Sequence, residues 1–137
     1  MTGNPSQFPF EKHVHGGCAN APVLRESSIL ELLTLGGEGA SELLIELVDL
    51  YIEDSTVRLA EVQGGFQEKD TEIVSRAVHA LKSSSANMGA MELSQICADL
   101  EGIENGDELT SELLTKLEGM HAEVEIALRE LRASYSA

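Results

Sequence analysis

All three prolines of this chain, Pro5, Pro9 and Pro22, lie in its first 22 residues, and none interrupts the sequence from Val23 to Ala137. Proline removes a backbone donor and breaks helices from within, so its absence leaves a long stretch free to run as helix. The apolar residues of that stretch recur at three- and four-residue intervals from Ser27 onward, the signature of helices with one buried face. Alternating β-branched runs are missing and only 4% of residues are aromatic, so strands are not signalled.

Local signals divide the stretch. Ser28-Ile29-Leu30-Glu31 reads as a capping box opening a short helix that Gly36-Gly37 stops. A second helix is expected from about Ser41 to about Gln63, with Leu44, Leu47, Val48, Tyr51, Leu59 and Val62 on its apolar stripe and Gly64-Gly65 at its end. Asp70 is the expected N-cap of a third helix, which ends at Gly89. A fourth carries Leu93, Ile96, Cys97, Leu100 and Ile103 and ends at Asn105-Gly106. A fifth carries Leu113, Leu117, Met120, Val124, Ala127 and Leu131, with Arg129 and Arg132 in its last turns, where the helix dipole favours cations. Four long amphipathic helices on short connections predict an all-α, up-down four-helix bundle, with the short first helix as a cap.

Residues 1–26 hold all the prolines, together with Gly3, Gly16 and Gly17, and show no helical period, so they are read as a flexible tail or linker before a bundle domain over 27–137. His13, His15 and Cys18 offer possible metal ligands there, but a Gly-rich stretch makes a poor preformed site and the linker reading is preferred. The charges of this segment cancel, so the whole formal net charge of -15 sits on the helical part. That balance excludes a basic nucleic-acid face and opposes docking on an anionic membrane. No apolar run approaches the roughly 20 residues of a membrane span. Two cysteines make no disulfide framework, and Met1-Thr2-Gly3-Asn4-Pro5 lacks the start of a signal peptide, so a reduced, cytoplasmic setting is expected.

The third helix carries the chemistry. On a wheel of 100° per residue, Val74, Ala77, Leu81, Ser84 and Met88 fall opposite His79 and make the expected core stripe. Glu72, Ser75, Arg76, Lys82, Ser83 and Ala86 gather on the side of His79, which therefore faces solvent with a cation one turn away. A neutral imidazole nitrogen is a good nucleophile near neutral pH. If it accepts a phosphoryl group, Lys82 can offset the new charge, and the small Ser75, Ser83 and Ala86 leave room for a folded partner. Residues 70–89 carry no net charge, whereas residues 90–110 hold six acids and no base, so this helix repels phosphate least. Glu101 of the fourth helix is a candidate neighbour of the imidazole. His121, without a motif around it, reads as a surface or boundary residue, and Cys97 as a small core residue.

The block His79-Ala80-Leu81-Lys82-Ser83-Ser84-Ser85-Ala86-Asn87-Met88-Gly89-Ala90 resembles the motif H-x-L-K-G-S-S-x-x-(L/M/V)-G-A of histidine-containing phosphotransfer (Hpt) domains, and the resemblance extends over roughly residues 22–134. It implies that His79 is phosphorylated on Nε2 and that Lys82 is the lysine beside the phosphate. It implies a relay, in which His79 takes the phosphoryl group from a receiver domain's aspartyl phosphate and a second receiver takes it onward. The partners expected are receivers of response regulators or of a hybrid sensor kinase, and the tail favours a C-terminal module of such a kinase. The chain itself is expected to be a monomer with no metal or cofactor of its own, the Mg²⁺ coming from the receiver. Ser75, Arg76, Ser83 and Ala86 are the expected docking residues. The family often has Gly where this chain has Ser83, an addition of one hydroxymethyl beside the site. Autokinase activity is not expected: the chain has no phosphate-binding G-x-x-x-x-G-K-S/T loop, and Ala80 follows the histidine where dimerising kinase helices have an acid. The competing reading is an adaptor bundle that docks receivers or kinases without being phosphorylated.

Overall fold

The structure is a computed structural model, and it describes residues 23–101 and 108–135. Five α-helices follow one another: α1 Glu26–Gly36, α2 Ala40–Glu68, α3 Thr71–Asn87, α4 Met91–Glu101 and α5 Glu108–Tyr135, with a single 3₁₀ turn, Gly37–Gly39, between the first two. Helix α2 packs on α3, α3 on α4, α4 on α5 and α5 back on α2, closing a four-helix ring, while α1 lies against α2. This is the up-down bundle with a short N-terminal cap, and the described residues contain no strand. None of the described helices is long and apolar enough to cross a membrane.

The core is aliphatic. Leu44, Val48 and Val62 of α2 meet Val74, Ala77, Val78 and Leu81 of α3, Leu93 and Cys97 of α4, and Leu117, Val124, Leu128 and Leu131 of α5. Burial pushes the Cys97 thiol up to about 12, so it serves as a small apolar residue. Two polar pairs cross this core. The Tyr51 and Ser85 hydroxyls lie 2.7 Å apart between α2 and α3. Ser55 Oγ and His121 Nε2 lie 2.9 Å apart between α2 and α5. His121 is thus an interior residue, not the surface or boundary residue expected. Its place on α5, one turn from the fully buried Leu117 and Val124, turns it inward.

Several expected boundaries move, each for a tertiary reason. Among the described residues the packing already includes Val23 and Leu24, which are buried in the core ahead of the boundary expected at residue 27. The tail before it, with His13, His15 and Cys18, lies outside the described residues, as do Ile103 and the Asn105-Gly106 stop. The Ser28 capping box does not form. Helix α1 starts three residues earlier with Arg25 at the N-cap and no side-chain cap. The Arg25 N–H donates to the Gly89 carbonyl at 2.7 Å, which fixes the chain there before Ser28 is reached.

Helix α2 runs through Gly64-Gly65 to Glu68. A Cβ on Gly65 would lie 2.6 Å from Val74 Cγ2, so this glycine permits close contact of α2 and α3 and does not stop the helix. The stop is Lys69, in the left-handed region at φ 57°. There Asp70 N donates to Gly65 O at 2.8 Å and Lys69 N to Phe66 O at 3.3 Å, the bond pattern of a Schellman cap. A β-carbon is unfavourable in that conformation. Lys69→Gly is therefore expected to raise stability by about 1 kcal/mol, read as a higher urea midpoint at unchanged slope.

Helix α3 starts as expected. Asp70 Oδ1 accepts from Ile73 N at 3.2 Å. It ends in a second Schellman cap, with Gly89 N on Ala86 O at 3.0 Å and Ala90 N on Ser85 O at 2.8 Å. Here the left-handed residue is a glycine, Gly89, at φ 82°.

Burial of His121 makes stability pH-dependent. Desolvation lowers its pKa from 6.5, and the Glu125 carboxylate opposes this more weakly. The unfolded chain then binds the proton more readily. The stability that rests on a neutral ring is complete above the ordinary histidine value and is lost as pH falls below it. Denaturant unfolding at pH 7 and pH 5.5 is expected to differ by up to about 1 kcal/mol, and His121→Gln to flatten that difference.

Candidate functional site

Helix α3 is covered by α2 on one side and α4 on the other, which leaves one strip exposed. His79 stands in that strip with its side chain 68% exposed. Ser75, Arg76 and Ser83 are also exposed, and Lys82 and Ala86 are half-buried. All six lie on the same face of α3. The buried face is wider than the expected stripe, because two helices cover it. Val78 and Ser85 are buried, while Ser84 is half-buried and donates to Leu81 O at 3.3 Å. Ser85 is spent on Tyr51, so the serines that follow Ser83 serve packing.

The imidazole is held from α4. Glu101 closes that helix, and its two carboxylate oxygens divide their contacts. Oε2 lies 3.0 Å from His79 Nδ1, and Oε1 accepts from Lys82 Nζ at 2.6 Å. A carboxylate only accepts, so Nδ1 is the nitrogen that carries the proton. In the neutral ring the lone pair then sits on Nε2, the nitrogen on the far side from Glu101. The Lys82 ammonium first, and the His79 hydrogen bond second, hold the Glu101 carboxyl below the usual carboxylate range. The register of α4 on α3 is fixed nearby, where Ser94 Oγ donates to Lys82 O at 3.0 Å. The site therefore has an exposed imidazole whose Nε2 points away from Glu101, a cation one turn away and an anion linking the two.

The surface around the site extends onto α2. Arg58, Glu61, Gly64, Gly65 and Glu68 of α2 line a groove of about 390 Å³ with Ile73 and Arg76 of α3. Arg58 is matched by Glu61 at 3.2 Å and Asp54 at 3.5 Å, whereas Arg76 makes no ion pair among the described residues. Leu50 and Val57, seven residues apart and so nearly in line on α2, are 61% and 52% exposed. Val57 stands one turn from Glu61, so the apolar pair runs into the groove. Neither leucine nor valine was singled out from the sequence. Their spacing off the buried stripe was the available signal. Glu101 is the neighbour of the imidazole that the sequence suggests, while its bridge to Lys82, 19 positions away, had no local signal. No cluster of three His, Cys, Asp or Glu side chains is placed to hold a metal among the described residues.

Known proteins share this fold. The family model described as Hpt domain matches residues 46–133. The crystal structure of histidine-containing phosphotransfer protein B (HptB) from Pseudomonas aeruginosa PAO1 superposes with a TM-score of 0.74 at 25% identity, covering 84% of this chain and 98% of that one. No curated protein sequence matches the chain.

Proposed function

The chain belongs to the Hpt domain family, whose members act in phosphorelays by histidine phosphotransfer, and on that premise we propose that His79 accepts a phosphoryl group from a receiver aspartyl phosphate and passes it to a second receiver. The observation that carries this reading is the exposed imidazole with Nδ1 on Glu101 and Nε2 unencumbered. The Nε2 lone pair attacks phosphorus in line. The N–P bond forms, the acyl O–P bond breaks, and its electron pair returns to the receiver's carboxylate.

Such transfer depends on alignment and charge neutralisation more than on covalent help. The mid-helix seat of His79 supports the first. Lys82, free to turn from Glu101 toward the phosphoryl oxygens, supports the second. The receiver supplies Mg²⁺ and the acidic pocket. Ser75, Arg76, Ser83 and Ala86 form the docking face, and Leu50 and Val57 extend it with apolar area of the kind that anchors a partner. Arg76, which makes no ion pair among the described residues, offers that partner's carboxylates a contact on an otherwise acidic protein. Ser83, in place of the usual glycine, is exposed and leaves the approach to His79 open. The composition of residues 1–22 supports a tethered arrangement, as in a hybrid sensor kinase working in the cytoplasm, and the charge of -15 favours a monomer.

The test is to incubate the purified chain with a panel of phosphorylated receivers and follow label on it. Acid-labile, alkali-stable labelling from at least one receiver is expected. Receiver binding without any labelling would instead establish the adaptor reading.

A further inference from the structure

Phosphorylation changes what the ring must do. Before transfer, Nδ1 carries the proton and Nε2 the lone pair. After attack, Nε2 is bonded to phosphorus and the ring is a phosphoimidazolium that still holds its Nδ1 proton. Two outcomes are open to it. If the proton leaves, later N–P cleavage must expel an imidazolate, a poor leaving group. If the proton stays, cleavage returns the electron pair to Nε2 and releases a neutral imidazole.

The groups facing the ring decide between these. From α4 the charged group is Glu101, 3.0 Å from Nδ1. From α3 they are Lys82, now drawn toward the phosphoryl oxygens, and Arg76 one turn before. On α2 the adjoining groove holds Arg58 and Glu61, which are engaged with each other at 3.2 Å. Among the described residues only Glu101 touches Nδ1, and it is an anion. When Lys82 turns away, the carboxylate is left with the Nδ1–H as its partner, and a hydrogen bond between two charged groups is about twice as strong as a neutral one.

We infer that Glu101 is a positioning residue for the outgoing half of the relay: it keeps the proton on Nδ1 of phosphorylated His79 and so holds the phosphoryl group in its transferable form at neutral pH. This rests on His79 being the acceptor. Onward transfer then balances simply. An acceptor carboxylate oxygen attacks phosphorus, the N–P bond breaks, its pair returns to Nε2, and the ring is again neutral with its proton on Nδ1 against Glu101.

The test needs no receiver. Phosphoramidate phosphorylates exposed histidines directly, and ³¹P NMR follows loss of the group to water between pH 5 and 9, the His79 signal being the one absent from His79→Gln. Phosphohistidine hydrolyses quickly with the ring protonated and slowly without. For the unaltered chain the pH at which the rate falls to half its acid plateau is expected to lie about one pH unit above that for Glu101→Gln, a roughly tenfold rate difference on the alkaline limb. Glutamine keeps an acceptor for Nδ1–H and loses only the charge. Superimposable profiles would overturn the inference. So would a shift in Glu101→Ala without one in Glu101→Gln, because the bond and not the charge would then be responsible. Should phosphoramidate label His79 while no receiver does, the relay reading falls and the pH result still stands.

Discussion

Replacing His79 with glutamine is expected to abolish phosphoryl acceptance, by more than about a thousandfold, while leaving the fold and receiver binding in place. Glutamine has similar reach but no nucleophilic nitrogen. The side chain is exposed and contributes nothing to the core, so the cost to stability stays within about 0.5 kcal/mol. This separates the two readings of the bundle. Relay requires position 79 to be histidine. Docking alone does not, because Leu50, Val57 and Arg76 are untouched. The measurement is paired: label transfer from a phosphorylated receiver, and affinity for the same receiver by calorimetry. Loss of transfer at unchanged affinity assigns the chemistry to this ring. Undiminished acid-labile label in the variant would place the acceptor elsewhere.

Gly89→Ala is expected to lower stability strongly for the addition of one methyl group. The residue sits at φ 82°, where a β-carbon costs about 1–2 kcal/mol by itself. The new carbon would also lie 2.9 Å from Ser28 Cβ and 3.1 Å from the Arg25 carbonyl oxygen. The segment before α1 would have to lift off the end of α3, loosening the 2.7 Å bond from Arg25 to Gly89. Together these amount to about 3 kcal/mol, or roughly 10 °C in melting temperature by circular dichroism. Gly64→Ala is the control. Nothing lies within 4 Å of its added carbon, and an alanine inside a helix is worth about 0.5–1 kcal/mol over glycine, so that variant is expected to melt higher. The motif glycine is thus a structural residue, serving the cap of the helix that carries His79.

What was legible in the sequence was what is decided locally. Asp70 and Gly89 bracket α3 because each acts on its own helix end. The exposure of His79 followed from 100° per residue along one helix. The motif around it pointed to the chemistry before any contact was known. The misreadings occurred where a second element decides. Gly64-Gly65 has the composition of a stop, yet Gly65 serves the approach of Val74, and the residue that turns the chain is Lys69, which carries no turn signal. Ser28 offered a cap that Arg25, tied to Gly89, made unnecessary. Ser84 and Ser85 differ by one residue, and only the positions of α2 and α4 determine which of them is buried. His121 was drawn inward by Ser55, a partner 66 positions away.

The two hydroxyl-centred bonds inside the bundle carry a further consequence. Sliding α2 by one turn against its neighbours would strand the Tyr51 and Ser55 hydroxyls together with Ser85 and His121. Each orphaned group costs about 1–3 kcal/mol, more than the aliphatic contacts alone would charge for the same slip. These bonds act as a vernier, locking the axial offset between the ring at position 79 and the side chains of Leu50 and Val57. The proposed docking face then has one fixed spacing. If receivers dock on this face as proposed, they are expected to be sorted by how well their own surfaces match it at that fixed offset.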